Sequence, residues 1–240
     1  MVLPGGLLCV LAFLILTAAV AHNRLDHVDL AARSLVQQSH RPSLLGLMAG
    51  ASYLGGQPGQ VVAVVVGVAM LWPRRRRWAL ALPLVMAGAG VVQYLAKWSV
   101  DRPRPNLESW GFPSAHVLSL VVLCGYLAYA VSIGRSRRRR RRLAMAACVL
   151  IISTVAYSRL YLDAHWLSDV LGGVTAGMAY LLGAIWLVES APRLGRALRG
   201  APLASGTDGG PLIPAPAGLP AASLVAAATT PAAPADGAPV

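Results

Sequence analysis

The stretch RRRRWALALPLVMAGAGVVQYLAKWSVDRPRP, from Arg74 to Pro105, decides the fold class. Four arginines open it, and the run from Trp78 to Ala96 that follows carries no charged residue. A run of that length is what an α-helix needs to cross the hydrocarbon of a bilayer. Arginine blocks stay on the cytoplasmic side of a membrane. Arg74 to Arg77 therefore orient this helix, and its far end, Lys97 to Pro105, emerges on the opposite face. That end carries Lys97, Arg102 and Arg104, with Pro103 and Pro105 stiffening the chain between them. Cations gathered on the face that disfavours them need an anionic partner. Arginine presents a planar fork to phosphate oxygens, and lysine a point charge.

The rest of the chain repeats the pattern. Of its 240 residues, 56% are hydrophobic and only 12% charged, with a mean hydropathy of +0.60. Soluble domains carry about 25% charged residues, so this composition is that of an integral membrane protein. Six apolar segments are legible: Val2–Ala21, Ser43–Trp72, Trp78–Ala96, Ala115–Ile133, Leu143–Tyr157 and Leu167–Val188. The second is long enough to tilt or to break near GGQPGQ, Gly55 to Gln60; the fifth is short unless it runs on toward Tyr161. Arginines at 74–77, at 135–142 and at 193, 196 and 199 put three connections in the cytoplasm, leaving 22–42, 97–114 and 158–166 outside. The net charge of +12 is thus topological, and nucleic acid is excluded as the partner. Leu25, Val28, Leu35 and Val36 recur at helical spacing, as in a helix lying on the outer interface. TAAVAH, Thr17 to His22, resembles a signal-cleavage site, but no positive segment precedes it, and an uncleaved anchor is expected. The Ala- and Pro-rich tail from about Gly200 reads as disordered. Cys9, Cys124 and Cys148 stand alone in apolar runs and read as core-filling thiols.

Three polar clusters fall on the outer loops. In the first, Lys97 is the chain's sole lysine against twenty arginines. Its ordinary reading is a side chain snorkelling at a helix end. In the second, GFPSAHV, Pro113 and Ser114 precede the fourth apolar run, where a helix start exposes free N–H groups toward an anion. Ser114 alone reads equally as an N-cap, and His116 as an interface histidine. In the third, YSRLYLDAHWLSDVLGG (157–173), His165 and Asp169 share a helix face if the sixth helix starts there. A carboxylate on one imidazole nitrogen fixes the tautomer and leaves the other free to attack. Asp163 pairs with Arg159 or faces water. Together the clusters supply cations for a phosphoryl group, a nucleophilic nitrogen and a second imidazole to protonate a leaving oxygen.

These motifs resemble the signature of the type 2 phosphatidic acid phosphatases (PAP2), which share a core with vanadium haloperoxidases. The first part matches as Lys97, six residues, then Arg104-Pro105. The second reads Pro113-Ser114-Ala115-His116, with Ala115 where the family has glycine. The third is Ser158-Arg159, five residues, His165, three residues, Asp169. The resemblance implies that Lys97, Arg104 and Arg159 hold phosphate, with hydrogen bonds from Ser114 and the Ala115 N–H. It implies His165 as nucleophile, Asp169 as its orienting partner and His116 as general acid. It implies no metal and no cofactor, and the sequence offers no carboxylate cluster for Mg²⁺. If position 115 is helical, Ala115 costs nothing there.

The expected protein is all-α: a six-transmembrane-helix bundle with a PAP2-type core. Residues 1–42 form the first span and an interfacial stretch, 43–190 the phosphatase core, and 191–240 a disordered cytoplasmic tail. The expected activity is hydrolysis of a lipid phosphomonoester or pyrophosphate at the extracytoplasmic face of the plasma membrane, with the lipid substrate and the bilayer as partners. The short linker NLESWGF (Asn106 to Phe112) favours a small head group. The rivals are a polyprenyl pyrophosphate phosphatase of the same family, a vanadate-dependent haloperoxidase, and a non-catalytic lipid-phosphate binder or transporter.

Overall fold

The computed structural model describes residues 2–133 and 138–200, and every regular element in them is helical. The helices are α1 (Val2–Ala21), α2 (Asp26–Gln38), α3 (Pro42–Gly55), α4 (Gln57–Leu71), α5 (Arg76–Ser99), α6 (Ala115–Ser132), α7 (Arg138–Tyr161) and α8 (Leu167–Gly200). Five of them, α1, α5, α6, α7 and α8, are long and apolar enough to cross a bilayer singly. The pair α3 and α4 meets the same condition only when taken together and is bent by 53°, the geometry of a broken span or of a re-entrant loop. The bend falls at Gly56, inside the GGQPGQ stretch, where the backbone turns extended (φ −78°, ψ 177°) before Pro58 restarts a helix. The chain is a multi-pass membrane protein, and its outer surface fits that medium. Leu84 on α5 and Leu150 on α7 are 74% and 68% exposed, a cost in water but none against lipid.

The sixth helix is the hub. In its span 56% of residues are buried inside the protein, against 6% for α1 and 11% for α7. Tyr126, at its centre, is fully buried and donates its hydroxyl to the Trp78 carbonyl of α5 (3.0 Å), so no polar atom is stranded there. The eighth helix lies against it through glycine. A Cβ at Gly173 would stand 2.7 Å from the Ser114 carbonyl, and one at Gly177 3.0 Å from that of Leu118. Small residues four apart let two membrane helices approach backbone to backbone. The Ser114 N–H completes the junction by donating to the Asp169 carbonyl (2.9 Å).

Three expectations shift. The fifth apolar segment becomes a helix over Arg138–Tyr161, because its arginine flank and the motif Ser158-Arg159 both continue it. Arg159 thus lies in the last turn of α7, at the negative end of the helix dipole, rather than in a loop. The eighth helix extends beyond Val188 to Gly200, so the interval 191–200 is helical backbone. The tail beyond it, residues 201–240, lies outside the described residues. Finally, α2 forms where the periodicity predicts it, with its polarity reversed toward the protein. Val28, Leu30 and Leu35 are exposed, and the side chain that α2 buries is Asp29, at 1%.

Candidate active site

The loops that follow α5 and α7 meet at one end of the bundle. The Trp166 indole donates to the Pro103 carbonyl (3.0 Å), and the Gly111 N–H to that of Arg102 (2.8 Å). At the other end Arg75 reaches the Ile133 carbonyl, so the arginine-rich connections also gather together. All three sequence clusters therefore share one end of the molecule.

His165 stands in the short turn between α7 and α8 and is 3% exposed. Its Nδ1 faces Asp169 Oδ2 at 3.2 Å, the pairing expected from the i, i+4 spacing. The Trp166 N–H donates to the same oxygen (2.9 Å). Trp166 directly precedes α8 and Asp169 is the third residue of that helix. A carboxylate at this position reaching back to the preceding N–H is half of a capping box, so ordinary helix chemistry fixes the Asp169 rotamer. With Nδ1 engaged, the free nitrogen of His165 is Nε2. Burial pulls the His165 pKa below its ordinary value, with Asp169 opposing and Arg159 and Lys97 adding to the depression. The shift favours the neutral ring, whose free nitrogen carries an available lone pair.

Lys97 ends α5, is 7% exposed, and donates to the Trp110 carbonyl. Arg104 bonds Glu108 Oε2 (2.6 Å) through Nη1, and Arg159 donates through Nη1 to Ser52 Oγ on α3 (2.5 Å). His116 lies on the first turn of α6, near the cations Lys97, Arg104 and Arg159. His116 Nε2 faces the break at Gly56, where an added Cβ would stand 3.4 Å away. Beside it a cavity of about 630 Å³ runs between Ser52, Gln57 and Gln93. Ser114 caps α6 in position only. Its hydroxyl makes no capping bond and is fully buried without a partner. Ala115 is the first residue of α6 and has no left-handed backbone, so its methyl is unstrained.

Buried polar atoms without partners are rare in folded proteins. Among the described residues three side-chain atoms are in that state: Arg104 Nε, Arg159 Nε and Ser114 Oγ. All three belong to residues that the sequence assigned to phosphate. Three orphan donors, two on cations, fit the oxygens of a phosphoryl group. No group of three or more His, Cys, Asp or Glu side chains among the described residues could hold a metal.

Two sequence readings are corrected. Asp163 does not pair with Arg159. It takes a forked bond from Arg33 of α2 (2.9 and 3.2 Å) and another from Gln37 (3.2 Å), and Arg33 holds its carboxyl below the usual range. Arg102, grouped with Lys97 and Arg104 as an anion-binding cation, is surrounded by carboxylates: Asp29 (2.8 Å), Asp26 (3.2 Å) and Asp169 (3.5 Å). Asp29 and Ser168 escaped the sequence reading. Their only trace there is a lone acid within an amphipathic helix and a serine beside Asp169.

The PAP2 superfamily model matches residues 78–193. Phosphatidylglycerophosphatase B of Bacillus subtilis is 27% identical over 180 residues, 70% of this chain and 87% of its own length. Decaprenylphosphoryl-5-phosphoribose phosphatase of Mycobacterium tuberculosis is 30% identical over 153 residues, 57% of this chain and 76% of its own. The crystal structure of a transmembrane PAP2-type phosphatidylglycerolphosphate phosphatase from Bacillus subtilis superimposes with a TM-score of 0.70 at 25% identity, covering 79% of this chain and 96% of that one.

Proposed function

The chain belongs to the PAP2 superfamily of membrane lipid phosphatases, and from that premise we propose that it removes a terminal phosphomonoester from a membrane lipid through a phosphohistidine at His165. The observation that carries this reading is the coincidence of the orphan donors on Arg104, Arg159 and Ser114 with the Asp169-oriented imidazole. The phosphoryl oxygens take hydrogen bonds from those donors and charge from Lys97. Nε2 of His165 attacks phosphorus in line, the P–O bond to the lipid breaks, and protonated His116 gives its proton to the leaving oxygen. Neutral His116 then draws a proton from water as it attacks the phosphohistidine, which releases inorganic phosphate and restores both rings. Asp169 supports the imidazolium character that His165 gains as it attacks.

Support for a monoester comes from the relatives. The names phosphatidylglycerophosphate and decaprenylphosphoryl-5-phosphoribose both describe a terminal phosphate on a polyol that is itself attached to a lipid phosphate. The cavity beside His116, where the leaving oxygen departs, offers Ser52, Gln57 and Gln93 to such a polyol. The cavity borders the α3–α4 break at Gly56, Gln57 and Pro58, the flank by which a lipid would enter from the bilayer. The positive-inside pattern supports an extracytoplasmic site. The test is phosphate release from phosphatidylglycerophosphate, phosphatidic acid and a polyprenyl pyrophosphate, in detergent at neutral pH with EDTA. The monoesters are expected to turn over and His165→Ala to abolish turnover. A preference for the pyrophosphate would install the polyprenyl reading. Lipid binding by the wild type without phosphate release would install a binder or transporter.

A further inference from the structure

The helix that carries Asp169 is incompletely capped by its own sequence. A complete N-cap needs an oxygen-bearing side chain at the residue before the helix to accept the N–H two or three positions into it. Trp166 stands there and offers none. The acceptor comes from elsewhere in the chain. Asp29 of α2 takes the Ser168 N–H on Oδ1 (2.8 Å) and the Ser168 hydroxyl on Oδ2 (2.6 Å). The same Oδ2 receives Nη2 of Arg102 (2.8 Å). Nη1 of Arg102 turns the other way, to Ser168 Oγ (2.5 Å) and Asp169 Oδ1 (3.5 Å). The guanidinium lies over the Trp166 ring, 5.5 Å from its centroid. Asp29, Ser168 and Asp169 are each 2% exposed or less. One guanidinium is therefore shared between two buried carboxylates, one of which holds His165.

We propose that Asp29, acting through Arg102 and the first turn of α8, is a positioning residue for the Asp169–His165 pair, which makes the interfacial helix α2 a working part of the active site. This rests on the reading of His165 as the nucleophile. Asp29 lies outside the segment that the family model matches. The physical reason is a division of charge. A guanidinium released by Asp29 moves onto Asp169, its nearest remaining buried anion, and competes with the imidazole for that carboxylate. Replacing one carboxylate oxygen also weakens the Ser168 cap and loosens the turn that sets the Asp169 rotamer. Both changes misplace Nε2 by a fraction of an ångström while the phosphate ligands Lys97, Arg104, Ser114 and Arg159, which come from other segments, stay where they are. Burial of Asp29 has no other evident return, since a buried carboxylate is costly unless it is paired and hydrogen-bonded.

The experiment measures kcat, KM and the pH profile of kcat/KM for Asp29→Asn and Arg102→Gln on a soluble phosphomonoester lipid. Each is expected to lower kcat about 10- to 100-fold, the scale of a small misplacement of reacting groups, with KM unchanged within about twofold. The charged groups facing His165 are Asp169, Arg159, Lys97 and, through the other imidazole, His116. Arg102→Gln frees Asp169 wholly for His165, so the acid limb moves to higher pH. Asp29→Asn leaves Arg102 to Asp169 and the exposed Asp26, which strengthens its hold on Asp169, so the limb moves to lower pH. Opposite movement of one limb is beyond a merely structural role. The double variant is expected to lose less than the product of the single losses, because both act through one carboxylate. Arg33→Gln, which cuts the separate tie from α2 to Asp163, is expected to leave the limb in place. If Asp29→Asn does not fold, Asp26→Asn replaces it, removing a carboxylate from the same guanidinium without touching the α8 cap. A kcat within about threefold of wild type and an unmoved limb in folded protein overturn the proposal. Should His165→Ala keep its activity, the reading of the nucleophile has failed; if His165→Ala is dead while Asp29 and Arg102 variants behave as wild type, only the positioning role has.

Discussion

In the proposed mechanism His165 and His116 act on the same phosphoryl group, yet their substitutions are expected to separate. His165→Ala removes the atom that forms the covalent bond, so no choice of leaving group restores turnover. His116→Ala removes a proton donor, and its cost falls as the leaving oxygen becomes a weaker base. With an aryl phosphate the loss is expected to be about 10-fold, and with a lipid alcohol 100-fold or more, of the order general acid catalysis supplies. Equal losses on both substrates would remove His116 from the acid role. The depressed pKa of His165 has a sign that can be checked as well. The reactive ring is the neutral one, so a lowered pKa extends activity to acid pH. The acid limb of kcat/KM is expected below about 6.5, the ordinary histidine value. Asp169→Asn takes away the interaction that opposes the depression and moves the limb lower still, along with a large fall in kcat. Ala115 makes a quieter case. It begins α6 without a left-handed backbone. Ala115→Gly is therefore expected to change activity by less than about twofold, while a large gain would reveal strain at that residue.

Among the helices, the seam between α6 and α8 decides whether the site assembles. His165 and Asp169 come from one side of it, Ser114 and His116 from the other. Gly177 lets the Leu118 carbonyl lie 3.0 Å from where a Cβ would stand, with the Val121 side chain equally near. A leucine there has nowhere to go, because both neighbours belong to the most buried helix. Gly177→Leu is expected to cost at least about 3 kcal/mol, the upper end of overpacking. It should reduce both the melting temperature in detergent and kcat, even though Gly177 touches no substrate. A variant that melts as wild type and turns over normally would show that α8 is held some other way. This seam was hidden in the sequence. GGVTAG reads as part of an apolar run, and nothing in its composition names the helix it faces. The site motifs were legible for the opposite reason: each cation and imidazole stands out against a lipid-facing background, and its spacing along a helix places it. Asp29 was lost between these cases. In an amphipathic helix an acid is assigned to water, and its burial follows from a guanidinium 73 residues away.

The order of apolar segments and arginine blocks made the five to six candidate spans and the shared end of the three motifs readable, because a hydrophobic run of sufficient length tends to span a bilayer. The kink at Gly56 was legible as a weak point in the second run, though its angle comes from packing. Which end faces outward rests on the arginines. Their blocks at 74–77 and 138–142 flank the end opposite His165, and Arg75 meets the connection that follows α6. Moving such a block across a membrane is disfavoured, so the expected insertion leaves the His165 end outside. Leu107, in the linker between the first two motifs, is 87% exposed and serves as a reporter for the site's end. Arg139, exposed in the first turn of α7, reports the other. The native thiols Cys9, Cys124 and Cys148 are partly buried within spans, so they give little background to a charged, membrane-impermeant maleimide. Leu107→Cys is expected to label in intact cells, and Arg139→Cys only after permeabilisation. The reverse pattern would place the phosphatase site in the cytoplasm and would require a substrate presented from the inner leaflet.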